Sequence, residues 1–194
     1  LEFRRVLFRS AAANNRTPLH EAVGNYLIAE HQGEADVEDL FSMVNLLLQA
    51  GANVNQRMPD GKNVLLNACH IHNLRMVQLL LSFGADVNVR DQLRNTPLMY
   101  SSARANQHSA IVQVLLTAGA RVNDVNNAAD PPRTALDVAI IEQNWGVAAM
   151  LRAAGGVRYS EIDNFLKEPW FTNNRSEKDR RERDRGMGGL KPVN

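Results

Sequence analysis

The most reactive side chains in this chain stand together at Cys69-His70-Ile71-His72. A thiolate and two imidazoles are zinc ligands, and a thiol next to an imidazole is the pairing used by cysteine nucleophiles. The pattern argues against both. A closed zinc site needs four ligands, usually from two separated pairs, and Cys69 is the only cysteine. His70 and His72 are expected to diverge, one on a helix and one in the turn after it. No serine sits in a Gly-x-Ser-x-Gly elbow, and no Gly-x-x-x-x-Gly-Lys or Gly-x-Gly-x-x-Gly loop occurs. Catalysis therefore has no candidate constellation. The chain is expected not to be an enzyme and to need no metal or cofactor.

The surrounding composition supports a folded domain. Of 194 residues, 51 are Leu, Ile, Val or Phe, above the ~20% below which disorder is expected. No apolar run approaches the ~18 residues needed to cross a bilayer, so membrane insertion is not expected. The net charge is +1 and is unevenly spread: residues 1–10 carry +2, residues 175–194 carry +3, and the body between them is at −4. A mildly acidic body speaks against nucleic acid as the partner. The single cysteine excludes an internal disulfide and, with no apolar leader in residues 1–10, leads to an expected cytoplasmic setting.

What must position these residues is an internal repeat. Thr17-Pro18-Leu19-His20 leads to Leu47-Leu48-Gln49-Ala50-Gly51-Ala52-Asn53-Val54-Asn55. Asn63-Val64-Leu65-Leu66 leads to Gly84-Ala85-Asp86-Val87-Asn88, and Thr96-Pro97-Leu98-Met99 leads to Gly119-Ala120-Arg121-Val122-Asn123. Thr134-Ala135-Leu136-Asp137 leads to Leu151-Arg152-Ala153-Ala154-Gly155-Gly156. The closing glycines are 33, 35 and 36 residues apart. Thr17 and Thr96 are placed to cap a first helix whose opening turn tolerates Pro18 and Pro97. Met76, Val77 and Leu79 to Leu81 form the apolar stripe of a second helix, and Gly84 supplies the left-handed residue that ends it. Two short helices cannot bury their faces alone, so the pairs must stack.

This pattern resembles the ankyrin repeat over residues 12–156. The resemblance implies an all-α solenoid of helix-turn-helix units with β-hairpin-like fingers, in repeats of about 12–55, 56–88, 89–123 and 124–156. It also implies a monomer that binds another protein, with no chemistry of its own, through finger tips and the concave face of the first helices. Carried over position by position, the partner-binding residues are Arg57, Met58, Pro59, Asp60, Lys62, His70 and Ile71 for repeat two. Repeat three gives Gln92, Leu93, Asn95, Ala103 and Arg104, and repeat four Asp130, Pro131, Arg133, Ile141 and Glu142. Met58, Ile71, Leu93 and Ile141 are expected to be its exposed apolar members. His20 matches a position whose usual role in the family is structural hydrogen bonding. The alternative is a regulatory or targeting segment of a larger enzyme or transporter.

Departures from the repeat carry further expectations. About 13 residues are inserted in repeat one near Tyr26 to Asp39, either as a lengthened helix pair or as an acidic partner surface. About two more fall near Ala105 to Ser109, and about three enlarge the last finger between Asp124 and Arg133. Trp145 opens the second helix of repeat four and is expected in the core. Residues 157–171 read as a capping helix starting at Ser160-Glu161-Ile162-Asp163, with Trp170 and Phe171 packed back on the stack. Residues 172–194 read as a disordered charged tail. Val6 to Ser10 resembles a translated sequencing adapter, so residues 1–10 are read as non-native and the natural start is expected upstream.

Overall fold

A computed structural model of the chain describes residues 16–33, 37–58, 60–103, 109–128 and 131–162. The adapter-like segment, the charged tail, Trp170 and Phe171 lie outside them, as do Pro59, Arg104 and Asp130. The described residues form four helix pairs: α1 (Pro18–Gln32) with α2 (Val37–Gln49), α3 (Val64–Ile71) with α4 (Leu74–Ser82), α5 (Pro97–Ser102) with α6 (Ser109–Thr117), and α7 (Ala135–Ile141) with α8 (Trp145–Ala153). No strand occurs among them, so the fingers are tight turns.

Local chemistry starts and stops each pair. Thr17, Asn63, Thr96 and Thr134 each accept a hydrogen bond from the backbone N–H three residues on, which satisfies a donor the first turn would leave open. The second helices close on Gly51, Gly84, Gly119 and Gly155, all with φ between 79° and 88°. Beyond each glycine the next N–H returns to the carbonyl five residues back, as from Ala85 to Leu80 at 3.1 Å and Ala120 to Leu115 at 3.0 Å.

The pairs then stack. First helices pack in a row, α1 on α3, α3 on α5 and α5 on α7, and α4, α6 and α8 form a second row behind them. A single core cluster runs from Leu19 to Leu151. Between pairs, the closing asparagine of one repeat grips the backbone of the next. The Asn55 amide donates to the Gly84 carbonyl at 3.0 Å and its oxygen accepts from Asp86 N–H at 2.8 Å. Asn88 does the same with Gly119 and Arg121 (3.3 and 2.8 Å), and Asn123 with Gly155 and Val157 (3.0 and 2.9 Å).

The first pair is lengthened: α1 has 15 residues against eight in α3, and α2 has 13 against nine in α4. Its extra acidic residue Glu38 pairs with Arg75 of the next repeat, whose guanidinium lies 3.8 Å from the Phe41 ring centroid. Three expectations are corrected. Trp145 is 64% exposed, because at the first position of α8 its side chain lies off the buried stripe of Val147, Ala148 and Leu151. Met58 is half-buried. The N-cap signature read at Ser160 falls inside a helical turn, since Tyr159 is already helical and Glu161 accepts from Arg158 N–H at 3.2 Å.

His20 illustrates how these contacts couple to pH. Thr17 N–H and Oγ1–H donate to its Nδ1 at 3.2 and 2.8 Å, which leaves Nε2–H to donate to the Gln56 carbonyl at 3.1 Å. The neutral ring fits this arrangement, and burial holds its pKa below the ordinary imidazole value of 6.5. A group with a lowered folded pKa contributes stability that is full above 6.5 and is lost as pH falls below it. The urea midpoint is therefore expected to be lower at about pH 5.5 than at about pH 7.5, and His20→Gln to narrow that gap. An unchanged gap in the variant would remove His20 from the account.

Candidate functional site

The finger edge is built by backbone turns that bond to one another. Met58 N–H donates to the Lys62 carbonyl at 2.8 Å, Asp91 N–H to Asn95 at 3.2 Å, and Asn126 N–H to Arg133 at 3.0 Å. The last turn spans three more residues than the others, where the sequence places its insertion. Gly61 lets the first finger approach the second, since a Cβ there would lie 3.0 Å from Gln92 N. Across fingers, Arg57 donates to the Arg90 carbonyl at 3.0 Å, and Arg90 pairs with Asp124 at 2.6 Å. Asn126 donates to Asn95 Oδ1 at 2.7 Å, and Asn127 N–H to the Leu93 carbonyl at 2.8 Å. The tips are thus held by their neighbours.

On this edge Arg57, Asp60, Gln92, Leu93 and Pro131 are exposed, while Met58, Lys62, Asn95 and Arg133 are half-buried. Asp60 and Asn95 are engaged internally: Asp60 Oδ1 accepts from Lys62 N–H at 3.0 Å, and the Asn95 amide donates to Asp91 Oδ2 at 3.0 Å. Leu93 is 52% exposed, because its backbone, not its side chain, is what the next finger holds.

The first-helix positions separate into two places. Lys62, Tyr100 and His70 meet, with Lys62 Nζ 5.9 Å from the Tyr100 ring centroid and the His70 ring edge-on at 5.3 Å. Tyr100 donates to Asp91 Oδ2 at 2.7 Å, and burial with that carboxylate raises its pKa. Tyr100 escaped the sequence reading because it lies four residues after Thr96, an offset not carried over; an aromatic where repeat two has Asn67 was the available signal. Farther down, His70 and Ile71 line a hollow of about 310 Å³ with Leu27, Ile28, His31 and Gln32. The lengthened α1 supplies four of those six residues. Ala103 ends α5 half-buried, and Ile141 and Glu142 end α7 exposed.

The reactive cluster takes its expected structural places. Cys69 is fully buried, and burial pushes its thiol up to about 12, so nucleophilic thiolate is scarce near neutral pH. His72 caps α3 in the left-handed region at φ 64°, away from the helical direction of His70. Among the described residues no group of three or more His, Cys, Asp or Glu could hold a metal ion, and no helix is long and apolar enough to cross a membrane.

Comparison with known proteins agrees with this geometry. A family model described as ankyrin repeats in three copies matches residues 34–126. Human ankyrin repeat domain-containing protein 63 is 33% identical over 159 residues, covering 75% of this chain and 38% of that protein. Mouse neurogenic locus notch homolog protein 1 is 33% identical over 134 residues, covering 66% of the chain and 5% of that protein. Human mitochondrial disaggregase is 44% identical over 68 residues, covering 34% of the chain and 9% of that protein. The chain thus spans well under half the length of these relatives.

Proposed function

We propose, from the premise that this chain is an ankyrin-repeat protein, that it binds another protein through its finger edge and first-helix face and performs no chemistry itself. The observation that carries the reading is the finger edge, whose tips are bonded to one another while the Leu93 side chain stays 52% exposed. Ordering loops on binding costs free energy, so a surface already held in place keeps more of the contact energy as affinity. Ile141, 50% exposed at the end of α7, and Ile71, 41% exposed at the end of α3, add apolar area of the kind that anchors an interface. The Lys62, Tyr100 and His70 group adds an aromatic with a cation above it, and aromatic residues are enriched among binding hot spots.

Leu93→Asp combined with Ile141→Asp is the test. Both side chains are at least half exposed, so the melting temperature should stay within a few degrees of the parent. Affinity capture with the parent and the variant, quantified by mass spectrometry, should show a protein bound by the parent and lost by the variant. Equal capture by a folded variant would count against this face. A second reading, a regulatory or targeting segment of a larger enzyme or transporter, draws support from the disaggregase relative, of which the matched stretch is 9%.

A further inference from the structure

The residue just before the helix cap is basic in three of the four repeats: Arg16 before Thr17, Lys62 before Asn63 and Arg133 before Thr134. In repeat three Asn95 holds that place, and the cation stands one residue earlier at Arg94, in the left-handed region at φ 62°. Residues 11–174 carry a net charge of −4, so a row of cations, one per repeat, runs against the charge around it. The first helices stack in order from α1 to α7, which sets this row along the finger edge.

On the three fingers Asp91 and Asp124 are used internally, whereas the cations of the row are not. Asp91 is 8% exposed and accepts from Asn95 N–H at 2.8 Å, the Asn95 amide at 3.0 Å and the Tyr100 hydroxyl at 2.7 Å. Asp124 pairs with Arg90 at 2.6 Å, with both side chains mostly covered. Asp60 accepts from Lys62 N–H at 3.0 Å and stays exposed. Lys62, Arg94 and Arg133 make no salt bridge among the described residues. Lys62 faces the Tyr100 ring at 5.9 Å, and Arg16 pairs with Glu21 at 3.3 Å where both side chains are half exposed.

We propose that the finger edge takes an acidic segment of a partner protein, held extended in a polyproline II conformation with a carboxylate at every third residue. The inference rests on the finger-edge reading above and names the chemistry of its partner. Packed helices stand ~8–10 Å apart, so cations one repeat apart recur at that interval. Polyproline II returns every third residue to the same side after about 9 Å, which matches the row. A β-strand advances about as far in three residues but turns the first and fourth to opposite faces. Leu93, 52% exposed beside Arg94, calls for an apolar residue among the acids. Opposite charges aligned this way speed encounter and fix register. Nucleic acid fits less well: Tyr100, the aromatic of this group, is half-buried between Lys62 and His70 and offers no open platform for a base.

The test pans a phage-displayed library of random peptides on the full chain and on a Lys62→Glu, Arg94→Glu, Arg133→Glu variant, whose melting temperature reports its fold. The parent should enrich sequences with Asp or Glu three residues apart. A synthetic peptide of the enriched sequence should bind the variant at least about ten times more weakly, since three edge charges are reversed. With its acids changed to Lys, the peptide should bind the variant better than the parent. A second measurement needs the parent alone: affinity for the peptide should fall at least about fivefold from about 0.05 to about 0.3 M salt. Enrichment of apolar sequences without acids, lost on Leu93→Asp with Ile141→Asp, overturns this proposal and leaves the finger edge as a binding surface. Acids at no fixed interval, an empty selection or a salt-independent affinity overturn it too. Tighter binding of single-stranded oligothymidylate than of the peptide does so by naming nucleic acid as the occupant.

Discussion

Leu80→Ala is expected to lower the unfolding free energy by about 3 kcal/mol, within the ~2–5 kcal/mol measured for buried Leu→Ala changes. Leu80 is fully buried on the stripe of α4, and its backbone carbonyl also receives the Ala85 N–H that closes the helix. The substitution removes the side chain and leaves a void between repeats that the neighbouring rows of α6 and α3 cannot fill without losing their own register. A stack of this kind is stabilised by nearest-neighbour interfaces, so loss at an interior repeat weakens both adjoining contacts. Urea unfolding followed by circular dichroism should show the midpoint fall, with a shallower transition if the end repeats uncouple. A cost below about 1 kcal/mol would mean that the site collapses around the alanine.

Asp137→Ala is expected to cost about 3 kcal/mol and to act locally. Its carboxylate, on a residue 6% exposed, receives four donors: Thr134 N–H at 3.1 Å, Thr134 Oγ1 at 3.0 Å, Arg158 Nε at 3.1 Å and Tyr159 N–H at 2.6 Å. Loss of a helix cap costs roughly 1 kcal/mol, and hydrogen bonds to a charged group are worth about 1.5–3 kcal/mol. Alanine would strand the Tyr159 N–H and the start of the segment that covers repeat four. Hydrogen exchange should accelerate in α7, α8 and residues 157–162 while α3 and α4 keep their protection. Asp137→Asn, which retains an acceptor without the charge, should fall between parent and alanine. Uniform acceleration along the whole stack would contradict this assignment.

Asp137 stands where repeat one has His20, and the two side chains do the same job by different chemistry. Each locks its own cap and reaches to the segment that follows the next closing turn, the imidazole to the Gln56 carbonyl and the carboxylate to Arg158 and Tyr159. The sequence marks the position through its spacing from Thr17 and Thr134. The identity of the distant partner was not readable, because it lies 36 residues away in one case and 21 or more in the other.

The sequence by itself determined the repeat, its helix starts and its helix stops. Those signals are local: a hydroxyl or carboxamide caps an N–H three residues on, and a glycine is needed wherever φ is near +80°. It also located the longer last finger, since extra residues between fixed landmarks have nowhere else to go. Tertiary structure decided which apolar side chains meet water. Met43 and Met76 share a residue type and a repeat position, yet one is 50% exposed and the other fully buried. Trp145 and Leu74 open equivalent helices, and only the tryptophan stands in solvent. Burial in a stack belongs to the interface with a neighbouring repeat, so a position's pattern within its own repeat cannot fix it.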